Sequence, residues 1–78
     1  MEVRNTNSIA SIDFVEVQIS VDELEVFETA LSYALENLPD REIELRFGAT
    51  RDEIEGINED VSKAISISKA KSEELIFT

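Results

Sequence analysis

Hydrophobic and polar residues alternate over a short stretch near the start of the chain. In IDFVEVQIS, residues 12–20, Val15, Val17 and Ile19 are separated by single polar residues. A period of two with β-branched side chains is typical of a strand that has one buried face. The pattern therefore predicts a strand over residues 12–20.

A lone strand is not stable, so this one needs a pairing partner. Residues 1–11 are polar and turn-prone without any periodicity, and we expect them to form a flexible arm. The candidate partners are residues 41–47, the C-terminal residues 75–77, and the same strand in a second subunit.

The period changes to three and four after the strand, which predicts an amphipathic helix over residues 21–37. Ser20 and Glu23 have the spacing of a capping box, which marks its beginning. Pro39 ends the helix because it cannot continue the hydrogen-bond ladder. The apolar stripe consists of Leu24, Phe27, Leu31, Ala34, Leu35 and Leu38.

Two further apolar residues, Val26 and Tyr33, flank this stripe at a spacing of seven. They widen the apolar face beyond what one short helix could cover. One possibility is that they pack beneath the strand or the third helix. The other is that they form a self-association or partner surface, and the sequence does not distinguish the two.

The segment REIELRF, residues 41–47, fits two structures. Ile43, Leu45 and Phe47 alternate with charged residues, as in a strand, but Ile43 and Phe47 also have the spacing of a short helix capped by Asp40. Periodicity alone slightly favours the strand.

A last helix is predicted over residues 51–65. Gly48 suits a left-handed turn, and Thr50 with Glu53 forms a second capping box. Residues 66–78 then predict a loosely ordered tail or a short strand. The apolar stripe of the last helix consists of Ile54, Ile57, Val61, Ala64 and Ile65.

These elements predict one small α+β domain over residues 1–78: an N-terminal strand, a long amphipathic helix, a short second element and a third helix, to which the C-terminus could add a short strand. The alternative is a mostly helical domain with a helix-turn-helix-like core, in which residues 41–47 are helical.

The stretch EIELRFGATRDEI, residues 42–54, has Gly48 at a turn, apolar residues on both sides of it, and Thr50 before the next helix. Over about 20 residues it resembles a helix-turn-helix segment of bacterial regulators. Glu44 departs from the pattern, because a small residue is usual there. The resemblance implies a helix-turn-helix geometry that is used for packing.

The formal charge of −11 changes this picture. Residues 22–60 contain 13 acidic and three basic side chains, a net charge of −10. Such a field repels DNA and attracts basic protein surfaces, although acidity can also serve solubility alone. On the last helix Arg51 is outnumbered by five acids, which form our candidate partner surface: Asp52, Glu53, Glu55, Glu59 and Asp60.

The chain lacks the residues that most catalytic mechanisms use. The chain has neither Cys nor His, and with Gly48 and Gly56 as its only glycines it has no phosphate-binding loop. The acids do not follow the pattern of a calcium-binding loop. We expect no catalytic site, no cofactor and no metal. No apolar run is long enough for a membrane span and no signal peptide is evident, so we expect a cytoplasmic protein.

The sequence thus favours a non-enzymatic acidic protein-interaction module of the immunity-protein, antitoxin or inhibitor type, which engages a basic partner surface. The alternative is a dimeric transcriptional regulator with a degenerate helix-turn-helix, contacting nucleic acid through its N-terminal arm or through Lys63, Lys69 and Lys71. A homodimer is expected from the width of the apolar face and from the unpaired strand.

Overall fold

Two strands and three helices follow one another in the computed structural model, which describes the backbone of residues 1–77 and the side chains of residues 1–71. This order confirms the α+β prediction. The elements are β1 (Glu2–Ile9), β2 (Ile12–Gln18), α1 (Val21–Asn37), α2 (Asp40–Phe47) and α3 (Arg51–Phe77).

β1 and β2 form an antiparallel hairpin that pairs Ile9 with Ile12 and Val3 with Val17, with an irregularity between Val3 and Asn5. β2 confirms the predicted strand as far as Gln18, but the buried face expected of it is wrong, because all seven of its residues are exposed. The flexible arm predicted for residues 1–11 is wrong, because most of it is β1 and supplies the missing pairing partner. Within the described residues, neither residues 41–47 nor residues 75–77 pair with β2.

The turn of the hairpin explains why this pairing was missed. Ala10 and Ser11 both have positive φ, at 51° and 68°. Two-residue turns of this kind match the twist of the strands, but they usually contain Asn and Gly, which tolerate positive φ. Ala-Ser gives no such signal in the sequence.

α1 begins and ends at the predicted residues. Ser20 Oγ accepts a hydrogen bond from the Glu23 amide at 3.1 Å, and the Glu23 carboxylate accepts one from the Ser20 amide at 3.2 Å. Leu38 leaves the helical region, with ψ at 136°, immediately before Pro39. The capping box and the proline stop were therefore reliable local signals.

α2 is a helix, so the slight preference for a strand over residues 41–47 is wrong. The Pro39 carbonyl accepts the first helical bond, from the Ile43 amide at 3.1 Å, and Gly48 ends the helix in the left-handed region. Ile43 is fully buried, whereas Leu45 is 70% exposed and Phe47 43% exposed. α2 thus buries one side chain in about two helical turns, and the alternation of buried and exposed residues that a strand would show is not observed.

α3 begins after the second capping box, in which Thr50 Oγ1 accepts a hydrogen bond from the Glu53 amide at 3.3 Å. It continues to Phe77, so the loosely ordered tail and the short strand predicted for residues 66–78 are wrong as far as Phe77, and Thr78 lies outside the described residues. The chain contains no Gly or Pro after Gly56, and nothing in the sequence therefore breaks the helix.

α1 and α3 pack antiparallel and form the main contact of the fold. Ser32 lies opposite Asn58, and Glu28 lies opposite Ser62, so side-chain hydrogen bonds cross the interface beside its apolar contacts. Ile57 was predicted to be buried but is half exposed. The hydrophobic residues buried among the described side chains are Ala34, Ile43, Ile54 and Ile65.

Candidate functional site

The five acids predicted as a partner surface lie together on one side of α3, and we call them the acidic face: Asp52, Glu53, Glu55, Glu59 and Asp60. All five are exposed. Their spacings of three, four and seven residues place them within one half of the helix circumference. The buried residues Ile54 and Ile65 point to the opposite side, toward α1.

The acidic face is largely free of internal partners. Glu53 accepts a hydrogen bond from Thr50 Oγ1 at 3.1 Å and therefore belongs to the helix cap. Asp52, Glu55, Glu59 and Asp60 make no hydrogen bond or salt bridge to any other described residue. Among the described residues, no three carboxylates lie close enough together to bind a metal ion. The four carboxylates are available to a cation from outside the chain.

Arg51, the one basic residue at the start of this helix, is occupied elsewhere. Its Nη1 donates to the Leu35 carbonyl at 2.7 Å and its Nη2 to the Leu38 carbonyl at 2.6 Å. Its Nε donates to the Asp40 carboxylate. The guanidinium thus satisfies carbonyls that the end of α1 leaves unpaired and joins all three helices. It is not free to contact a phosphate.

The turn between α2 and α3 contains the left-handed glycine that the sequence predicts. Gly48 has φ at 66°, and its amide donates to the Glu44 carbonyl at 3.0 Å. The Glu44 side chain is exposed at the surface, so a large residue is accommodated where the resemblance would call for a small one. The turn orients α3 with its acids outward.

The cations proposed for nucleic-acid contact are dispersed. Lys69 Nζ lies 3.0 Å from a Glu25 carboxylate oxygen and joins α3 to α1. Lys63 and Lys71 are exposed, with Lys63 on the same side of α3 as the acidic face. The structure therefore does not gather these lysines into a basic patch.

Glu23 is a polar residue whose full role the sequence did not reveal. Besides the cap, its carboxylate binds the α-ammonium group of Met1 at 2.9 Å and 3.0 Å. That hydrogen bond first, and the bonds from Ser20 second, hold the pKa of Glu23 below its ordinary value of 4.5. This ion pair connects the first residue of the hairpin to α1.

A second uncovered surface lies on α1, and we call Val26, Ala30 and Tyr33 the outer stripe. Val26 is 66% exposed and Tyr33 is 65% exposed. The three residues have spacings of four and three, which align them on the side of α1 that faces away from α3. Packing beneath the hairpin or α3 is therefore wrong for both flanking residues, and the alternative of a contact surface remains.

Comparison with protein-family models, with curated proteins and with solved structures gave no match for this chain. Among the described residues, none of the helices combines the length and the apolar character that crossing a membrane requires.

Proposed function

We propose that this protein is a non-enzymatic interaction module whose acidic face binds a basic surface on another protein. The observation that carries the proposal is the set of four carboxylates, Asp52, Glu55, Glu59 and Asp60, that point outward from one helix and form no salt bridge among the described residues, against one exposed lysine, Lys63, at the centre of that side. Complementary charges of this kind accelerate association and select partners.

The helix that presents these carboxylates is held firmly on its other side. Arg51 fixes its first turn to the end of α1, and Asn58 and Ser62 bond to side chains of α1 about two and three turns after Arg51. A surface that is already ordered loses less conformational entropy when it binds. The backbone that carries the acids therefore needs no rearrangement on binding.

Solubility alone would not require this arrangement. A net charge keeps a protein soluble wherever the charges lie. Here four acids share one helix face while the nearest arginine, Arg51, is turned inward to the α1 carbonyls. The pattern favours a surface that attracts a cationic partner, as expected of an immunity protein, an antitoxin or an inhibitor that covers a nucleic-acid-binding site.

The test compares two variants of equal charge. The face variant neutralises the four free carboxylates and retains Glu53 for the cap, with the changes Asp52→Asn, Glu55→Gln, Glu59→Gln and Asp60→Asn. The control variant neutralises four other exposed acids, with the changes Asp13→Asn, Glu16→Gln, Glu36→Gln and Glu44→Gln. Each variant has a net charge of −7, four units less negative than −11.

We expect the wild type and the control variant to capture the same basic protein from cells, and the face variant to lose it. Titration of the purified partner should show an affinity that falls about tenfold or more between about 50 mM and about 500 mM NaCl. An affinity that is independent of salt, or equal loss in both variants, would contradict the proposal. A mobility-shift titration with duplex DNA at low salt should stay flat.

A further inference from the structure

The chain exposes more surface than a compact protein of its mass. Its accessible surface is 6282 Å², whereas a folded monomer of 8.8 kDa exposes about 4,800 Å². The excess is therefore about 1,500 Å² per chain. The radius of gyration is 15.2 Å, against about 11.5 Å for a compact domain of this length.

Much of the uncovered apolar surface belongs to the hairpin. The register places Val3, Val15 and Val17 on one face of the hairpin and Ile9, Ile12 and Phe14 on the other. All six side chains are between 43% and 61% exposed. An isolated two-stranded hairpin is marginally stable at best in water, and both of its edges can accept another strand. The hairpin therefore needs a cover.

The outer stripe of α1 needs a cover for the same reason. Val26, Ala30 and Tyr33 line a shallow groove together with Asp22, Glu25 and Thr29. This side of α1 faces away from α3, whose contact with α1 is the main one in the fold. α1 thus has one apolar side that packs against α3 and a second apolar side that is exposed.

Charge separates the hairpin from the acidic face. Residues 1–21 contain the acids Glu2, Asp13 and Glu16 and the base Arg4, a side-chain charge of −2 out of a total of −11. A strongly basic partner suits the acidic face but finds few anions on the hairpin. The apolar and weakly charged hairpin suits a surface of its own kind.

We propose that a second copy of this chain covers the hairpin and the outer stripe, in a two-fold symmetric dimer that leaves both acidic faces outside. An excess of about 1,500 Å² per chain corresponds to about 3,000 Å² for a pair, which lies within the range of obligate homodimers. Few hydrophobic side chains are buried within residues 1–71, so the cover must be present whenever the chain folds. A second copy of the chain is available wherever the protein is made. The open strand edges of two copies can also pair with each other around a two-fold axis.

The first experiment measures the mass of the wild-type protein by light scattering. We expect twice the 8.8 kDa of one chain, and a melting temperature that rises when the protein concentration increases from about 5 μM to about 500 μM. A mass of one chain at the highest concentration, or a mass above two chains, would overturn the dimer.

The second experiment locates the interface with matched substitutions. Val26→Asp on the outer stripe and Val15→Asp on the hairpin should each lower the fraction of dimer or unfold the chain. Ile67→Asp is the control, because Ile67 is 58% exposed on α3, outside both surfaces, and Val26 is 66% exposed. The control should remain folded and dimeric. If Val26→Asp and Val15→Asp both keep the mass and the melting temperature of the wild type, this interface is refuted, whether or not the protein is a dimer.

Tyr33 provides a third measurement that does not depend on the folding of a variant. It is the only tyrosine, and the chain has no tryptophan, so its fluorescence reports on the outer stripe alone. Acrylamide is uncharged and quenches exposed rings. We expect quenching to decrease as the protein concentration rises and the dimer forms, and quenching that is equal at all concentrations where the mass changes would exclude Tyr33 from the interface.

Discussion

At the scale of single residues, the two glycines provide opposite tests of backbone conformation. Gly48 has φ at 66°, whereas Gly56 lies inside α3, and a β-carbon at either position would meet no atom within 4 Å. Steric crowding therefore plays no part at either site. Gly48→Ala should destabilise the protein by about 1–2 kcal/mol because of the left-handed φ, and Gly56→Ala should stabilise it by about 1 kcal/mol. Urea denaturation of both variants checks this, and a shift of the same sign in both would contradict it.

Glu23 predicts a dependence of stability on pH. Its pKa lies below 4.5 in the folded chain because of the Met1 ammonium group and Ser20. The unfolded state therefore binds the proton more readily, so the stabilisation is present above that ordinary value and is lost as the pH falls through the folded pKa. In the 78-residue chain, Glu23→Gln should be less stable than wild type at neutral pH, and the difference should vanish in acid.

The matched control for Glu23 is Glu36→Gln, which removes one charge from an exposed residue of the same helix. Denaturation at a series of pH values should show the loss only for Glu23→Gln. Parallel pH profiles for the two variants would indicate a general effect of net charge.

At the scale of elements, the junction of the three helices depends on Arg51. Its side chain is only 29% exposed and donates to two carbonyls of α1 and to Asp40 of α2. Bonds from a partly buried charged group of this kind contribute about 1.5–3 kcal/mol. Arg51→Ala should therefore lower the free energy of unfolding by about 2 kcal/mol, as measured by denaturant titration.

The control at the junction is Arg46→Ala. Arg46 is 67% exposed and pairs with Glu42 one turn away in α2. Exposed pairs of this kind contribute about 0.3–0.5 kcal/mol. Equal losses for Arg46→Ala and Arg51→Ala would show that the Arg51 contacts do not hold the helices together.

The hairpin turn predicts a gain in stability. Ala10 and Ser11 have positive φ, which costs about 1 kcal/mol or more for residues other than glycine. Replacing Ala10 by Asn and Ser11 by Gly should slow amide hydrogen exchange in β1 and β2 by about fivefold or more. Exchange in α3 serves as the internal reference. Faster exchange in the strands would show that the turn does not limit hairpin stability.

These elements also show where the sequence was informative. Both capping boxes and Pro39 predicted the helix limits correctly, because each acts within four residues of its position. β1 was not predicted, because its turn lacks the Asn and Gly that usually mark a two-residue hairpin turn. The strand-like period of residues 41–47 was misleading because Ile43 alone is buried there.

At the scale of the whole molecule, like charges should oppose folding. Residues 22–60 contain 13 acids and three bases. Raising NaCl from about 20 mM to about 300 mM screens their repulsion, and the melting temperature should rise by about 5 °C, which corresponds to ~1 kcal/mol. The variant that neutralises Asp52, Glu55, Glu59 and Asp60 should show a smaller rise, and a melting temperature that falls with salt would contradict the argument.

The sequence by itself determined the limits of α1, the beginning of α3, the sharp turn at Gly48 and the grouping of acids on one side of α3. All of these follow from local hydrogen bonding and helix periodicity, which act over a few residues. Only the tertiary structure decided that Arg51 turns inward, because the carbonyls it binds belong to α1. It alone decided that the rest of the same chain leaves the hairpin and the outer stripe uncovered, because burial depends on residues distant in the chain.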